Sequence, residues 1–202
     1  MPEPPPPTLV QPAPAPRPAA RRRRLWWHRL ILGLWYRPVE VLDEARDRGA
    51  WSAAVLLTLV GGALGLLASK SFRAQWGTGP LDVVWQLVGV TEAGVLVASL
   101  GLGLVTHAIA RTLGGSGRLR PTVSLFIVVF WVTDLPRLAL SFLLPEHHPV
   151  AQAVALTSWG FGFALAVLLI RGQHHLPTLR SVGAVAVQML ASLALLKLGP
   201  IS

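Results

Sequence analysis

The sequence predicts an all-α, polytopic membrane protein, a bundle of five transmembrane helices with short interfacial helices and a disordered tail before it. Three observations predict this class: 52% of the 202 residues are hydrophobic, only 13% are charged, and the mean hydropathy is +0.55. A soluble domain usually carries about 25% charged residues. The spans of a membrane β-barrel alternate apolar and polar residues, and no such alternation occurs here.

Residues 1–24 predict a disordered tail rich in proline and arginine. Nine of the 17 prolines lie in the first 20 residues, which contain almost no side chain large enough to form a core. A run of four arginines, Arg21 to Arg24, follows. A signal peptide is disfavoured because no small-residue cleavage site follows the next apolar block.

We predict that residues 25–48 form two short interfacial helices. The first is too short to span a bilayer, and its tryptophans favour the level of the lipid headgroups. Pro38 suits the first turn of the second helix, VEVLDEARDR. Glu44 and Arg48 are four residues apart on that helix and can pair on its wet face.

Residues 51–198 predict the membrane domain, in which each apolar segment approaches the roughly 20 residues needed to cross the hydrocarbon core. Gly61 and Gly65 in the first segment have a spacing that lets helices approach closely, and packing within one protomer is the favoured interpretation. The five predicted spans cover residues 51–69, 83–110, 122–144, 149–170 and 181–198.

The distribution of Lys and Arg predicts a cytoplasmic N-terminus and an external C-terminus. With this orientation 14 of the 18 basic residues lie on the inner side, three lie outside, and Arg137 lies within a span. The composition is rich in Arg and poor in Lys, which is typical of a bacterial protein. We therefore expect a multi-pass protein of a bacterial inner membrane.

Four segments, in this order and spacing, resemble the Yip family of Rab/Ypt-interacting multi-span membrane proteins, which has bacterial members. They are WYRPVEVLDEAR, LVTHAIARTLGGSGRLRPTVSLF, an in-membrane DLP and RGQHHLPTLRSVGAV. The resemblance covers about residues 36–198. It implies five spans, a cytoplasmic N-terminus and a role in membrane organisation or trafficking, without known catalytic residues. The start of the chain departs from the family pattern, and no Rab partner is carried over.

Three charged residues within the predicted spans form the candidate site, an intramembrane polar cluster of Glu92, Asp134 and Arg137. A lone charge at a span centre costs about 2.5–3.5 kcal/mol. Glu92 lies about 13 Å and Arg137 about 10 Å from the outer ends of their spans, so we predict that these two residues meet. Asp134, one turn from Arg137, can share its guanidinium group. The cluster either fixes helix packing or forms an ion or proton route, and the scarcity of polar neighbours favours packing.

The segment LGGSGR, residues 113–118, predicts a tight turn between two spans. It is not a P-loop because no GK[ST] follows, and it is not a nucleophile elbow because Arg118 stands where the second glycine belongs. Arginines on the inner side are expected to contact anionic lipid headgroups. These arginines are Arg21, Arg22, Arg23, Arg24, Arg111, Arg118 and Arg120.

The paired histidines are expected to be solvated residues at helix ends. The predicted topology separates His147 and His148 from His107, His174 and His175, and no HExxH motif occurs. The absence of cysteine excludes thiolate metal sites, disulfides and cysteine nucleophiles. We expect no metal and no cofactor.

The predicted function is that of a non-catalytic membrane protein of Yip type, which organises membranes or serves as an interaction scaffold. Its expected partners are the bilayer, its anionic headgroups, and other membrane proteins or a second copy of the chain. Nucleic acid is disfavoured because the basic residues are bunched rather than spread over one face. The alternative is a small transporter, or a transporter subunit, that uses Glu92, Asp134 and Arg137. An intramembrane hydrolase would need a nucleophile or metal set, and none is recognisable.

Overall fold

The computed structural model describes residues 27–46, 50–76, 79–145 and 148–198. These residues contain eight α-helices and no strand, which confirms the all-α prediction. The predicted tail, with Arg21 to Arg24, lies outside the described residues, as does His147. The helices are α1 (Trp27–Tyr36), α2 (Pro38–Ala45), α3 (Trp51–Ala68), α4 (Lys70–Trp76), α5 (Leu81–Thr112), α6 (Leu119–Ser141), α7 (Pro149–His174) and α8 (Thr178–Leu198).

Four of these helices, α3, α5, α6 and α7, are long and apolar enough to cross a membrane. The polytopic membrane fold is therefore confirmed. Helix α8 has 21 residues and is apolar over Thr178–Leu190. Its role as a fifth span stays a prediction.

Helix α6 lies at the centre of the bundle and packs against α3, α5 and α7. Every residue from Pro121 to Val129 is buried, as expected of a helix that is apolar on all sides and surrounded by other helices. Helix α5 is the least buried of the four spans. It therefore presents the largest share of its surface to lipid or to a partner.

Glycine allows α3 to approach α6 closely. A Cβ atom added at Gly61 would collide with the ring of Trp131, which occupies the space that the missing side chain leaves. Gly65 differs, because no atom lies within 4 Å of its added Cβ. Gly61 therefore packs within the protomer, as predicted, whereas Gly65 makes no such contact with the described residues.

Helices α1 and α2 form a hairpin that packs against the side of the bundle. Near the turn of the hairpin, the ring of Trp35 stacks on Phe161 with 5.0 Å between centroids. At its other end, the Nη2 atom of Arg46 lies 3.0 Å from a Cβ added at Gly172. Phe161 and Gly172 are eleven residues apart, or about 16 Å along α7. The hairpin thus extends from the C-terminal end of α7 to its middle.

Candidate functional site

Asp134 and Arg137 form an ion pair within α6. Nε of Arg137 donates to Oδ1 of Asp134 and Nη2 donates to Oδ2, each at 2.6 Å. Residues three apart lie on the same face of a helix, so the pair needs no second helix to form. Two of the three predicted cluster residues are therefore together, and their charges compensate each other locally.

Glu92 does not join this pair. Both of its carboxyl oxygens are buried, and neither has a hydrogen-bond partner among the described residues. The predicted contact between Glu92 and Arg137 is therefore wrong. Equal depth places two residues at one level of the membrane, but it does not determine the direction in which each side chain points around its helix axis. Asp134 is already within reach of Arg137 on the same helix.

The Glu92 carboxyl group instead faces α3 at Gly62. A Cβ atom added at Gly62 would lie 2.7 Å from Oε1 of Glu92 and 2.8 Å from its Cδ. Such distances are too short for a real contact, so the missing side chain of Gly62 provides the space for the carboxyl group. Gly62 was not identified from the sequence, because the small-residue spacing pairs Gly65 with its neighbour Gly61.

A buried hydrogen bond joins α6 to α3 close to this contact. Nε1 of Trp131 donates to the hydroxyl of Thr58 at 3.1 Å, and that hydroxyl donates to the carbonyl oxygen of Ala54 at 2.8 Å. The indole and hydroxyl groups are thus satisfied without water, as buried polar groups in hydrocarbon require. They hold the face of α3 that carries Gly61 against α6.

At the other end of the bundle, His174 is buried, with 1% of its surface exposed. Its Nδ1 accepts a hydrogen bond from the backbone N–H of Gly117 at 3.2 Å. Its Nε2 lies 3.3 Å from the Thr122 hydroxyl, which itself donates to the carbonyl oxygen of Arg118 at 2.7 Å. Nε2 therefore carries the proton and donates to Thr122. The prediction of a solvated His174 is wrong.

The turn at residues 113–118 is folded around this imidazole ring. A Cβ atom added at Gly115 would lie 2.6 Å from Nδ1 of His174, and one added at Gly117 would lie 2.8 Å from its Cδ2. Gly114 adopts φ +93°, which favours glycine. The predicted tight turn is confirmed, and its glycines make room for a histidine from α7 rather than for a phosphate.

His107 lies beside His174, with 5.0 Å between the ring centroids. Its Nδ1 is buried and forms no hydrogen bond with any residue that the structure describes. Within the described part of the chain, no three His, Asp or Glu side chains converge on one point. The contact between the two rings is therefore an aromatic packing contact of α5 with α7.

Arginines surround this end of the bundle. Arg111, Arg118 and Arg120 are exposed, and their guanidinium groups form no hydrogen bond or ion pair with a described residue. Nη1 of Arg180 instead donates to the carbonyl oxygen of Leu113 at 3.3 Å. The first three guanidinium groups are thus available to anionic headgroups.

Comparison with known proteins gives no match for this chain, whether with protein-family models, with curated proteins or with solved structures.

Proposed function

We propose that this chain is a non-catalytic membrane protein that serves as an interaction scaffold, the role that its Yip resemblance implies. One observation carries the proposal: a face of α5 consists of apolar side chains and glycines, and no described residue packs against it. The bound partner is a helix of another membrane protein or of a second copy of the chain.

The open face of α5 consists of Val90, Gly94, Val97, Gly101 and Leu104. Spacings of four and three residues place these positions on one side of the helix. Val90 and Val97 are 65% and 67% exposed, and no atom lies within 4 Å of a Cβ added at either glycine. Small residues at an interface let membrane helices approach closely, and van der Waals packing then drives their association.

The polar groups within the spans support a structural role for this part of the protein. The ion pair between Asp134 and Arg137 is internal to α6, and the bond from Trp131 to Thr58 joins two helices of the bundle. These groups therefore stabilise the bundle that presents the open face of α5.

We further propose that the protein lies in a bacterial inner membrane with its N-terminus in the cytoplasm. Three basic segments lie together at one end of the bundle. Three hydrogen bonds join them: Gln173 donates to Arg46, Gly117 donates to His174, and Arg180 donates to Leu113. The positive-inside rule assigns such an end to the cytoplasm.

Native gel electrophoresis of membranes solubilised in a mild detergent tests the scaffold proposal. We expect the wild-type chain in a complex larger than one protomer, and we expect Gly94→Leu with Gly101→Leu to release it. Gly160→Leu is the matched control, because a Cβ at Gly160 on α7 also has no atom within 4 Å. A wild-type chain that migrates as a lone protomer contradicts the proposal.

The alternative function, a small transporter or transporter subunit, is favoured by the carboxyl group of Glu92. Its oxygens are buried without a hydrogen-bond partner in the described part of the chain, and an intramembrane ionisable group is a functional lead. Proton flux into proteoliposomes that contain a pH-sensitive dye distinguishes the two functions. Flux that Glu92→Gln abolishes at unchanged stability supports transport, whereas flux equal to that of empty vesicles rejects proton transport.

A further inference from the structure

A cleft of about 480 Å³ lies between α2 and the C-terminal end of α7. This volume is typical of a ligand-binding pocket. Its polar lining comes from Asp43 on α2 and Arg46 directly after it, and from Arg171, Gln173 and His175 at the end of α7. The cleft therefore opens at the end of the bundle where basic residues are grouped.

The two arginines of the cleft differ in how they are partnered. Nη2 of Arg46 donates to Oδ1 of Asp43 at 3.1 Å, and its side chain retains 33% exposure. Arg171 is exposed and forms no hydrogen bond or ion pair with a described residue. Among the described residues, the Arg171 guanidinium group thus has no partner, and that of Arg46 is paired with one carboxylate.

The wall of the cleft is held by the contact between α2 and α7. Nε2 of Gln173 donates to the backbone carbonyl oxygen of Arg46 at 3.3 Å, with Gln173 6% exposed. Gly172 leaves space for the Arg46 guanidinium group, which lies against α7. Both arginines therefore line the same cleft, and the fold places the Arg46 guanidinium group next to the segment of α7 that carries Arg171.

The floor of the cleft is apolar. Leu42, Leu169 and Leu176 line it and are 6%, 1% and 5% exposed. Val39, which also lines the cleft, is 55% exposed and lies near the hairpin turn. An occupant that satisfies this lining has an anionic group at one end and a hydrocarbon chain at the other.

We propose that this cleft binds one anionic phospholipid of the cytoplasmic leaflet, with its phosphate between Arg46 and Arg171 and an acyl chain along Leu42 and Val39. Guanidinium groups recognise phosphate through paired hydrogen bonds. Basic pockets between membrane helices on the cytoplasmic side bind lipid headgroups. The inference rests on the proposed function only for the cytoplasmic placement of this end of α7.

Native mass spectrometry of the purified full chain in detergent tests the proposal, with phosphatidylglycerol and phosphatidylcholine added in parallel. We expect one phosphatidylglycerol to bind in preference to phosphatidylcholine. Arg171→Gln should weaken it about tenfold, the factor that one hydrogen bond between charged groups provides. Asp43→Asn should strengthen it, because Arg46 then loses the carboxylate that competes with the phosphate.

Lys70→Gln is the control that also removes one positive charge, because Lys70 is exposed, forms no hydrogen bond or ion pair with a described residue and lies outside the cleft. We expect it to leave binding unchanged. Equal effects of Arg171→Gln and Lys70→Gln, or weaker binding by Asp43→Asn, would overturn the proposal. Glycerol phosphate that binds as tightly as the lipid would exclude the acyl-chain contact. Loss of lipid binding with an intact complex on native gels would reject this inference and leave the scaffold function standing.

Discussion

Gly117 donates its backbone N–H to Nδ1 of His174 across 57 residues of sequence, at a distance of 3.2 Å. This bond fixes the turn between α5 and α6 to the end of α7. The hydroxyl of Thr122 binds the other ring nitrogen, so one buried side chain of α7 is hydrogen-bonded to both the turn and α6. The end of the bundle at which α7 ends therefore depends on a neutral imidazole ring.

Replacing His174 should destabilise the protein and loosen this turn. His174→Ala removes both ring contacts and leaves a cavity, so we expect a loss of about 2–4 kcal/mol in the free energy of unfolding in detergent. Trypsin should also cleave faster after Arg118. His175→Asn is the control, because His175 is exposed and asparagine tolerates its left-handed backbone conformation. Equal stability of the two variants would refute the role of His174.

Gly62 and Gly65 should respond differently to the same substitution. Gly62→Ala places a methyl group against the Glu92 carboxyl group and should cost about 1–3 kcal/mol of folding free energy. Gly65→Ala meets open space and should be neutral or stabilise the helix by up to about 1 kcal/mol. Glu92→Ala should rescue Gly62→Ala in the double variant. Identical melting temperatures for the two single variants would contradict the contact.

A double-mutant cycle should couple Asp134 to Arg137 but not Glu92 to Arg137. Either Asp134→Asn or Arg137→Gln leaves one intramembrane charge without its partner, so the double change should cost less than the sum by about 0.5–3 kcal/mol. Glu92→Gln and Arg137→Gln should instead be additive within about 0.5 kcal/mol. Thermal unfolding in one detergent provides all of these values. Coupling between Glu92 and Arg137 would restore the contact that the structure lacks.

The orientation can be tested by cysteine labelling, because the chain has no cysteine of its own. Ser116 lies in an exposed position of the turn after α5, so Ser116→Cys places a thiol there. We expect it to resist a membrane-impermeant maleimide in intact cells and to react after lysis. Cysteine after Leu198 should react in intact cells if α8 is a fifth span. Labelling of both positions from the same side would reject the five-span topology.

The helices could be predicted from the sequence because hydrophobicity along a chain is a local property. The C-terminal end of α7 shows where hydrophobicity no longer predicts the extent of a helix. Its predicted span ends at Ile170, before Arg171, whereas the helix continues to His174. Gln173 and His174 are polar and nevertheless buried, and hydropathy assigns such residues to a loop.

The contacts of the candidate site could not be predicted, because they depend on the rotation of each helix about its axis. Depth placed Glu92 and Arg137 at one level, but Glu92 faces Gly62 on α3. The glycines of LGGSGR indicate that this turn leaves space for a side chain, and in the structure His174 occupies that space. Nothing local in the sequence identified which side chain fills it.

Photo-crosslinking in native membranes tests the scaffold account most directly. A photoreactive amino acid at Val97 lies on the open face of α5, and the same residue at Leu156 on α7 is the control, since the two positions are 67% and 69% exposed. We predict a discrete covalent adduct with another membrane protein or a second copy from position 97, at several times the yield from position 156. Lipid adducts alone at both positions would contradict the account.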